Sequence, residues 1–378
     1  MKKKILVFVM LIFATFTLTG CFGGNPYAGL DDLLNGTGSS PSGVVEYPTS
    51  SESIYQTPVE VANNATESQI AEAYMNSTVT IYVTTQTGVD VCFGSGVCVY
   101  SGGYIATNYH VVADAITYPS YQIRVYLNEK TSAYEATVLW SDSTLDIAII
   151  QCSYGDIPYV KMADRVVSKA NQIKILEKVI AIGTPIDFSL QNTCTVGYVS
   201  GLNRYTYSDT NIYETLIQHT APISQGNSGG PLFDMSGNLV ALNTLGSNEG
   251  NDLYFAVPIY PVMAVLNRVV ALNEQEQKAT YQTPKMGITL TDKYIWQITD
   301  TTEVTKDGVL VTAVKSGGSF GVLETNDLIT KATFNSVDYD IDCRNHLIFA
   351  ILNCNAGNTI VLEIERDDET KTVSLQLT

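Results

Sequence analysis

The sequence predicts a mainly β protein in which a barrel or sandwich domain is followed by a smaller domain of strands and one helix. Its 378 residues are 45% hydrophobic and 16% charged, which is enough for two or three globular domains. The 28 glycines and 23 tyrosines are typical of a chain of many strands and turns. Acidic residues outnumber basic ones 38 to 21, which argues against a nucleic-acid partner.

The N-terminus has the pattern of an export signal. Three lysines at 2–4 precede an apolar run over 5–16, shorter than the ~20 residues that a membrane-spanning helix needs. The ending Leu-Thr-Gly-Cys at 18–21 resembles the bacterial lipobox. This resemblance implies removal of residues 1–20 and lipidation of Cys21, and therefore an extracytoplasmic protein anchored by lipid to the bacterial cell membrane. The alternative is that Cys21 forms a disulfide beside an ordinary cleavage site.

The chain beyond Cys21 predicts a tether and two domains. Residues 21–65 are rich in Gly, Ser, Pro, Thr and Asn, which predicts a flexible tether. Thr66 and Gln69 have capping-box spacing and predict a short helix at the start of a domain over 66–275. Apolar side chains at helical spacing predict a closing helix over 261–272. After a linker at 274–284, a small domain over 280–378 is predicted to contain a helix at 344–352. The β-rich runs of the first domain are 79–84, 96–100, 103–107, 122–127, 133–140, 147–151, 178–182, 195–200, 216–218, 231–233, 239–244 and 253–257.

Six further cysteines could form disulfides outside the cytosol. Their pairing is open, except that Cys343 and Cys354 bracket the predicted terminal helix and would stand about 16 Å apart, too far to pair with each other. The sequence has no C-x-x-C pair and no H-E-x-x-H motif, so no metal site and no cofactor are predicted. The other four are Cys92, Cys98, Cys152 and Cys194.

A glycine-rich turn at 225–231 (Gln-Gly-Asn-Ser-Gly-Gly-Pro) places Ser228 directly before an apolar strand. The glycines let the backbone aim its amides at one point beside the hydroxyl, where an oxyanion develops during acyl transfer. Gly226 and Ser228 are the expected amide donors. The same residues are also typical of a plain β-turn, so the segment alone leaves both interpretations open.

A serine nucleophile needs a base, and the chain has three histidines. His110 follows a predicted strand and is expected at its end, facing a cleft. His219 is interpreted as structural or as part of a pocket rim, and His346 as structural within the terminal helix. His110 is therefore the candidate general base.

A carboxylate must orient the imidazole, and residues 142–150 offer two. Asp146 directly precedes an apolar strand and is the predicted partner. Asp142 lies in a Ser-Asp-Ser turn, where a capping role explains it, and is kept as the alternative.

These segments resemble, in the same order, the HtrA/DegP family of trypsin-fold serine proteases. The resemblance covers about residues 66–378. It implies two six-stranded β-barrels over 66–275 with a His110, Asp146 and Ser228 triad in the cleft between them. The matching segments are 107–112 (Thr-Asn-Tyr-His-Val-Val), 145–148 (Leu-Asp-Ile-Ala), 181–185, 196–200, 226–231 and 255–259.

The C-terminal domain is similar to a PDZ module. Residues 285–288 (Lys-Met-Gly-Ile) look like its carboxylate-binding loop, or else form a linker entering a strand. The first reading implies that peptide C-termini bind there by strand addition. Asn326 replaces a glycine of the module, and Asn tolerates left-handed backbone better than most residues. The expected peptide-binding residues are Met286, Gly287 and Ile288.

The resemblance also implies a specificity pocket. In trypsin-fold enzymes one wall lies six residues before the serine, which is Pro222 here. None of the expected wall residues is charged, so a small or medium aliphatic residue is expected before the scissile bond. Gln225 stands where the family usually has proline, so the pocket wall is expected to differ. The opposite wall is expected to be Asn243, Thr244 and Leu245.

The implied function is a serine endopeptidase that degrades unfolded or damaged exported proteins. Two alternatives remain open, a processing enzyme for one membrane partner and a peptide-binding surface receptor with an idle protease domain. The family often forms trimers, so a homotrimer is one oligomeric state to test.

Overall fold

The computed structural model describes residues 58–128, 132–162, 173–207, 212–246, 253–274, 283–292, 308–314 and 321–378. The predicted signal peptide at 1–20, Cys21, and most of the predicted tether and linker lie outside these ranges. Within them the chain forms two closed β-barrels followed by a further sheet. The predicted mainly β fold, a double barrel followed by a small α+β domain, is confirmed.

The first barrel has the strand order β1-β2-β3-β6-β5-β4. Alternate residues of each strand point inward, and branched side chains such as Ile81, Ile105 and Ile150 fill the interior. Helix α1 (Glu67–Tyr74) precedes the barrel, and Thr66 and Gln69 form the predicted capping box. The strands are β1 (Thr78–Thr84), β2 (Asp90–Tyr100), β3 (Tyr104–Thr107), β4 (Gln122–Tyr126), β5 (Ala133–Asp142) and β6 (Ile147–Cys152).

A short helix, α2 (Tyr109–Thr117), follows β3 and has no counterpart in the sequence prediction. It buries Val111 and Val112 against the first barrel. His110 therefore lies in the first turn of a helix and not at the end of β3, where it was expected.

The second barrel has the strand order β10-β11-β12-β9-β8-β7. Helix α3 (Tyr260–Glu274) follows it and confirms the predicted closing helix. Its apolar face joins one core with residues of both barrels, including Trp140 and Phe233. The strands are β7 (Lys178–Gly183), β8 (Thr193–Tyr207), β9 (Ile212–His219), β10 (Pro231–Asp234), β11 (Leu239–Gly246) and β12 (Tyr254–Pro258).

The third sheet has the order β13-β14-β15-β17-β18, with β16 paired to β15. The predicted terminal helix is present as α4 (Arg344–Leu352). Asn326 adopts a φ of 77°, the left-handed conformation expected for the glycine it replaces. The strands are β13 (Ile288–Asp292), β14 (Val309–Val314), β15 (Leu328–Phe334), β16 (Val337–Asp340), β17 (Thr359–Arg366) and β18 (Glu369–Gln376).

Helix α4 packs on two sides. Leu347 and Ala350 join the core of the third sheet, whereas Phe349 and Leu352 pack against the barrel core beside α3. The rings of Tyr260 and Phe349 meet edge to face at 6.0 Å. The helix is therefore shared between the third sheet and the barrels.

In the two barrels, Cys98, Cys152 and Cys194 are free thiols and form no disulfide. Burial raises the pKa of Cys98 to about 12, so its thiol is protonated at physiological pH. Cys343 directly precedes α4 and Cys354 follows it, so the two bracket that helix as predicted. Among the helices in the described ranges, none combines the length and apolarity that crossing a membrane requires.

Candidate active site

His110 and Asp146 are joined by their side chains at the edge of the first barrel. His110 Nδ1 lies 2.9 Å from Asp146 Oδ2 and 3.0 Å from Asp146 Oδ1. The backbone amide of His110 also donates to Asp146 Oδ1, at 3.0 Å. Because that amide belongs to the first turn of α2, the carboxylate accepts a bond that a helix N-terminus otherwise leaves unmade.

Asp146 is held from three sides although its backbone is strained. Its φ of 53° is unusual for a residue with a Cβ, and its side chain is 1% exposed. Thr244 Oγ1 donates to Asp146 Oδ2 at 2.8 Å, and Asn108 Nδ2 donates to the Asp146 carbonyl oxygen at 2.9 Å. Asn108 precedes α2 but does not cap it, because its side chain is used on Asp146.

The pKa of His110 lies above its ordinary value. Burial lowers it, but the charge of Asp146 and the hydrogen bond from the ring together outweigh burial. The imidazole is therefore a stronger base than a free histidine. Such a group can take a proton from a hydroxyl and hold it as imidazolium beside a carboxylate.

Ser228 lies in the turn before β10 and is half-buried. Its hydroxyl donates to the Thr244 carbonyl oxygen at 3.0 Å. Within the described ranges, Ser228 Oγ makes no hydrogen bond to His110. Thr244 thus links the two halves of the site, because its side chain bonds Asp146 and its carbonyl bonds Ser228.

The backbone of the Ser228 turn depends on its glycines. Gly226 and Gly229 have φ values of 97° and 82°. A Cβ on Gly226 would meet the Thr184 carbonyl oxygen at 2.3 Å. Within the described chain, the amides of Gly226 and Ser228 donate to no acceptor, so both remain open for an oxyanion.

Ser95 of the first barrel braces this turn, and sequence reasoning missed it. Ser95 is fully buried, and its hydroxyl donates to the Gly226 carbonyl oxygen at 2.8 Å while accepting from the Thr184 amide at 2.9 Å. Its amide donates to the Ser228 carbonyl oxygen at 2.8 Å. One residue of the first barrel therefore fixes the turn that emerges from the second.

The four residues expected in the pocket walls differ in what their side chains do. Pro222 is exposed and Leu245 is half-buried. Asn243 Nδ2 instead donates to the carbonyl oxygens of Gly230 and Pro231, at 3.1 Å and 2.9 Å. The side chains of Asn243 and Thr244 thus support the framework of the site rather than form a free wall.

The expected peptide-binding loop of the third sheet also differs from the simplest expectation. Met286 and Ile288 are buried in the core of that sheet. Gly287 between them has a φ of 73°. A peptide at this loop would therefore meet the backbone of these residues, not their side chains.

The remaining candidates are Asp142, His219 and His346. Asp142 Oδ1 accepts from the amides of Thr144 and Leu145 at 2.9 Å and 3.0 Å, which is a turn-capping role. His219 is fully buried and stacks on Tyr254. His346 lies buried within α4. Across the described ranges, no three His, Cys, Asp or Glu side chains cluster to hold a metal ion.

Two family models match this chain. A trypsin-like peptidase domain model matches residues 94–242, which include the three groups of the site, and a PDZ domain model matches residues 284–377. One relative is a probable periplasmic serine endoprotease, DegP-like, of Pseudomonas fluorescens, which is 30% identical over 298 residues. The chain is an HtrA/DegP-like protein.

A second relative of this HtrA/DegP-like chain is Protease Do-like 1, a chloroplastic protein of Arabidopsis thaliana, which is 29% identical over 304 residues. Each of the two alignments covers 75% of the HtrA/DegP-like chain. The chain spans 63% of the length of the Arabidopsis protein and 55% of the Pseudomonas protein.

Solved structures share the fold of the HtrA/DegP-like chain. The HtrA-type protease AlgW with a tripeptide has a TM-score of 0.59 at 22% identity and covers 83% of this chain and 97% of its own. A serine endoprotease from Yersinia pestis has a TM-score of 0.54 at 23% identity, covering 83% and 98%. The double barrel with a following PDZ domain is thus an HtrA-type fold.

Proposed function

We propose that the protein is an extracytoplasmic serine endopeptidase with His110, Asp146 and Ser228 as its catalytic triad. One observation carries the proposal. The His110 and Asp146 pair and the Ser228 turn converge on Thr244, and the turn leaves two backbone amides open beside the serine. A β-turn without a catalytic role does not require a buried carboxylate and a basic imidazole beside it.

In the proposed reaction, Ser228 Oγ turns from the Thr244 carbonyl towards His110 and attacks the peptide carbonyl carbon. His110 takes the hydroxyl proton and returns it to the leaving amine, while Asp146 stabilises the imidazolium. The amides of Gly226 and Ser228 hold the developing oxyanion. Water then attacks the acyl-enzyme with His110 again as the base, which frees Ser228.

The specificity pocket is proposed between the segment at Pro222 and the strand at Thr244 and Leu245. Asn243 contributes by fixing the strand after Ser228. The lining has no charged side chain to pair with a charged substrate residue, and burying an unpaired charge is costly. A small or medium aliphatic residue is therefore proposed before the scissile bond.

The proposed substrates are unfolded or damaged exported proteins. An endopeptidase needs an extended chain, and misfolded proteins expose such segments. The PDZ domain would hold C-terminal or extended segments at Met286, Gly287 and Ile288 by strand addition, without any cofactor. The similarity to a probable periplasmic serine endoprotease of Pseudomonas fluorescens supports an extracytoplasmic protease. A homotrimer is proposed as the assembly.

The proposed location follows from the N-terminal sequence. Residues 1–20 would be removed, Cys21 would carry the lipid, and residues 21–65 would space the peptidase domain (66–275) and the PDZ domain (280–378) from the membrane. Lys2 to Lys4 leave with the signal, so the mature chain is more acidic still, and lipid rather than charge would hold it to an anionic membrane.

The test compares hydrolysis of unfolded casein by the purified chain and by Ser228→Ala. Ser236→Ala is the matched control, because Ser236 is an exposed serine in the next turn. We expect the wild type and the control to cut and Ser228→Ala to lose at least about 1,000-fold in rate. Equal cleavage by all three would refute the site, and cleavage of one membrane protein but not of casein would favour the processing role.

A further inference from the structure

The N-terminus of α2 and Asp146 exchange two hydrogen bonds. The His110 amide donates to Asp146 Oδ1 at 3.0 Å, and Asn108 Nδ2 donates to the Asp146 carbonyl oxygen at 2.9 Å. The first bond uses the side chain of Asp146 and the second uses its backbone. Asn108 and Asp146 are both buried. Asp146 is therefore held at two points by residues 108 and 110.

Helix capping does not explain Asn108. Asparagine is a preferred N-cap residue because its side-chain oxygen accepts from the amide of the second or third helical residue. His110 is the second residue of α2, and its amide donates to Asp146 instead. Within the described ranges, Asn108 Oδ1 is buried and has no hydrogen-bond partner. The buried side chain thus leaves its acceptor unused, which is costly, and uses its donor on Asp146.

Asn108 acts where the pairing of β3 and β6 stops. The last pair of these strands joins Thr107 to Ala148. Asn108 and Asp146 lie just beyond it, and Asp146 has a φ of 53°. A buried carbonyl oxygen needs a donor, and the bond from Asn108 Nδ2 supplies one past the end of the ladder. The side chain of Asn108 therefore fastens the backbone of Asp146 at the point where it turns into β6.

The same segment also meets the turn that carries Ser228. Gly229 has a φ of 82°, and a Cβ on it would lie 3.0 Å from the Asn108 amide nitrogen. The turn therefore packs directly on the Asn108 backbone. Asn108 thus contacts the Ser228 turn with its backbone and Asp146 with its side chain, and it lies two residues before His110.

We propose that Asn108 is a positioning residue for the peptidase reaction: its side chain holds the Asp146 backbone in the left-handed conformation that aims the carboxylate at His110. This inference rests on the proposed function. Left-handed backbone is costly for a residue with a Cβ and persists where the surroundings hold it. Without the bond from Asn108, the backbone of Asp146 relaxes and its carboxylate turns away from the imidazole.

The test uses the full chain with Asn108→Ser and Asn108→Ala. Serine is also a good N-cap, but its hydroxyl is one bond nearer the backbone and does not reach the Asp146 carbonyl; alanine neither caps nor reaches. We expect both variants to lower kcat on the order of 10- to 100-fold with little change in KM. The serine variant should keep a higher Tm than the alanine variant. A kcat near the wild-type value in Asn108→Ser would overturn the inference, because the role would then be helix capping.

Asn353→Ser is the matched control. Asn353 Nδ2 likewise donates to a backbone carbonyl oxygen, that of Phe349 at 2.8 Å, at the end of α4 in the PDZ domain. Its substitution should leave kcat unchanged. An equal loss of kcat in Asn353→Ser would overturn the inference, because the loss would then reflect general loosening of the chain.

A second readout needs no turnover. NMR titration reports the pKa of His110, which the charge and hydrogen bond of Asp146 hold above its ordinary value. The His110 signal is identified by its absence in His110→Gln. We expect this pKa to fall in Asn108→Ser and to stay in Asn353→Ser. An unchanged His110 titration in Asn108→Ser would overturn the inference even if kcat falls. If the wild type cleaves no peptide, the proposed function fails, while the titration still decides whether Asn108 positions Asp146.

Discussion

The hydroxyl of Ser95 donates to the carbonyl oxygen of Gly226 at 2.8 Å, which ties the first barrel to the turn that carries Ser228. The two residues are 131 positions apart in the chain. The bond fixes the peptide that follows Gly226, while the amide of Gly226 stays open. The proposed oxyanion hole therefore depends on both barrels, although both of its proposed donors belong to one.

The first prediction concerns Ser95→Ala. This substitution leaves the Thr184 amide and the Gly226 carbonyl oxygen without their shared partner, so the turn that carries Ser228 loosens. We expect kcat for a peptide substrate to fall by roughly 10- to 100-fold with KM little changed, because the hole acts mainly in the transition state. Ser101→Ala, an exposed serine beyond the same strand, is the control. A drop in Tm with kcat intact would contradict the prediction.

The second prediction concerns Thr244→Val, which keeps the shape of the side chain and removes its hydroxyl. Asp146 loses one of the donors that orient its carboxylate. A hydrogen bond to a charged group contributes about 1.5–3 kcal/mol, so we expect kcat/KM to fall by roughly 10- to 100-fold. Thr244→Ser should restore most of the loss, and equal activities of the Val and Ser variants would argue against an orienting role.

The third prediction is the pH dependence of hydrolysis. His110 must be neutral to accept the serine proton, and its pKa lies above the ordinary value because Asp146 outweighs burial. The rate should therefore rise with pH through a value above about 6.5. In Asp146→Asn the negative charge that raises the pKa of His110 is gone. The residual activity should therefore rise with pH at a lower value. A profile identical in both proteins would exclude Asp146 as the partner of His110.

The fourth prediction concerns acid stability. Burial lowers the pKa of His219 to about 4, against about 6.5 in an unfolded chain. Between these two values the unfolded state binds a proton that the folded state does not, so His219 makes stability fall as pH falls through this window. Its full effect is up to about 3 kcal/mol.

The measurement for His219 is urea unfolding at pH 7 and pH 5 for the wild type and His219→Asn. The variant should lose less stability on acidification than the wild type. His346→Asn is the control for removing a buried histidine elsewhere. Equal pH dependence of the wild type and His219→Asn would show that His219 is not the group responsible.

The fifth prediction concerns the residue before the scissile bond. A peptide panel that varies only this position should give higher kcat/KM for Ala, Val and Leu than for Lys, Arg, Asp or Glu. The proposed lining at Pro222 and Leu245 offers no opposite charge, and a charged side chain would enter without a partner. A preference for a basic residue would refute the proposed pocket.

Much of the fold could be predicted because its signals are local. The capping box of Thr66 and Gln69 spans four residues, and the alternation of strand residues and the glycine turn before β10 are similarly short. Helix α2 was missed although Val111, Val112, Ala115 and Ile116 follow helical spacing, because the strand before it dominates the pattern. A helical test of residues 109–117 would have found it.

The sequence by itself determined the mainly β class, the order of the two domains and the residue types able to do acyl transfer, since each depends on composition or on neighbours a few positions apart. Only the tertiary structure decided that Thr244 bonds Asp146 and that Ser95 braces Gly226. These two contacts join residues 98 and 131 positions apart. Such contacts form only when strands and helices pack, and nothing in a residue's immediate neighbours records the partner that packing brings to it.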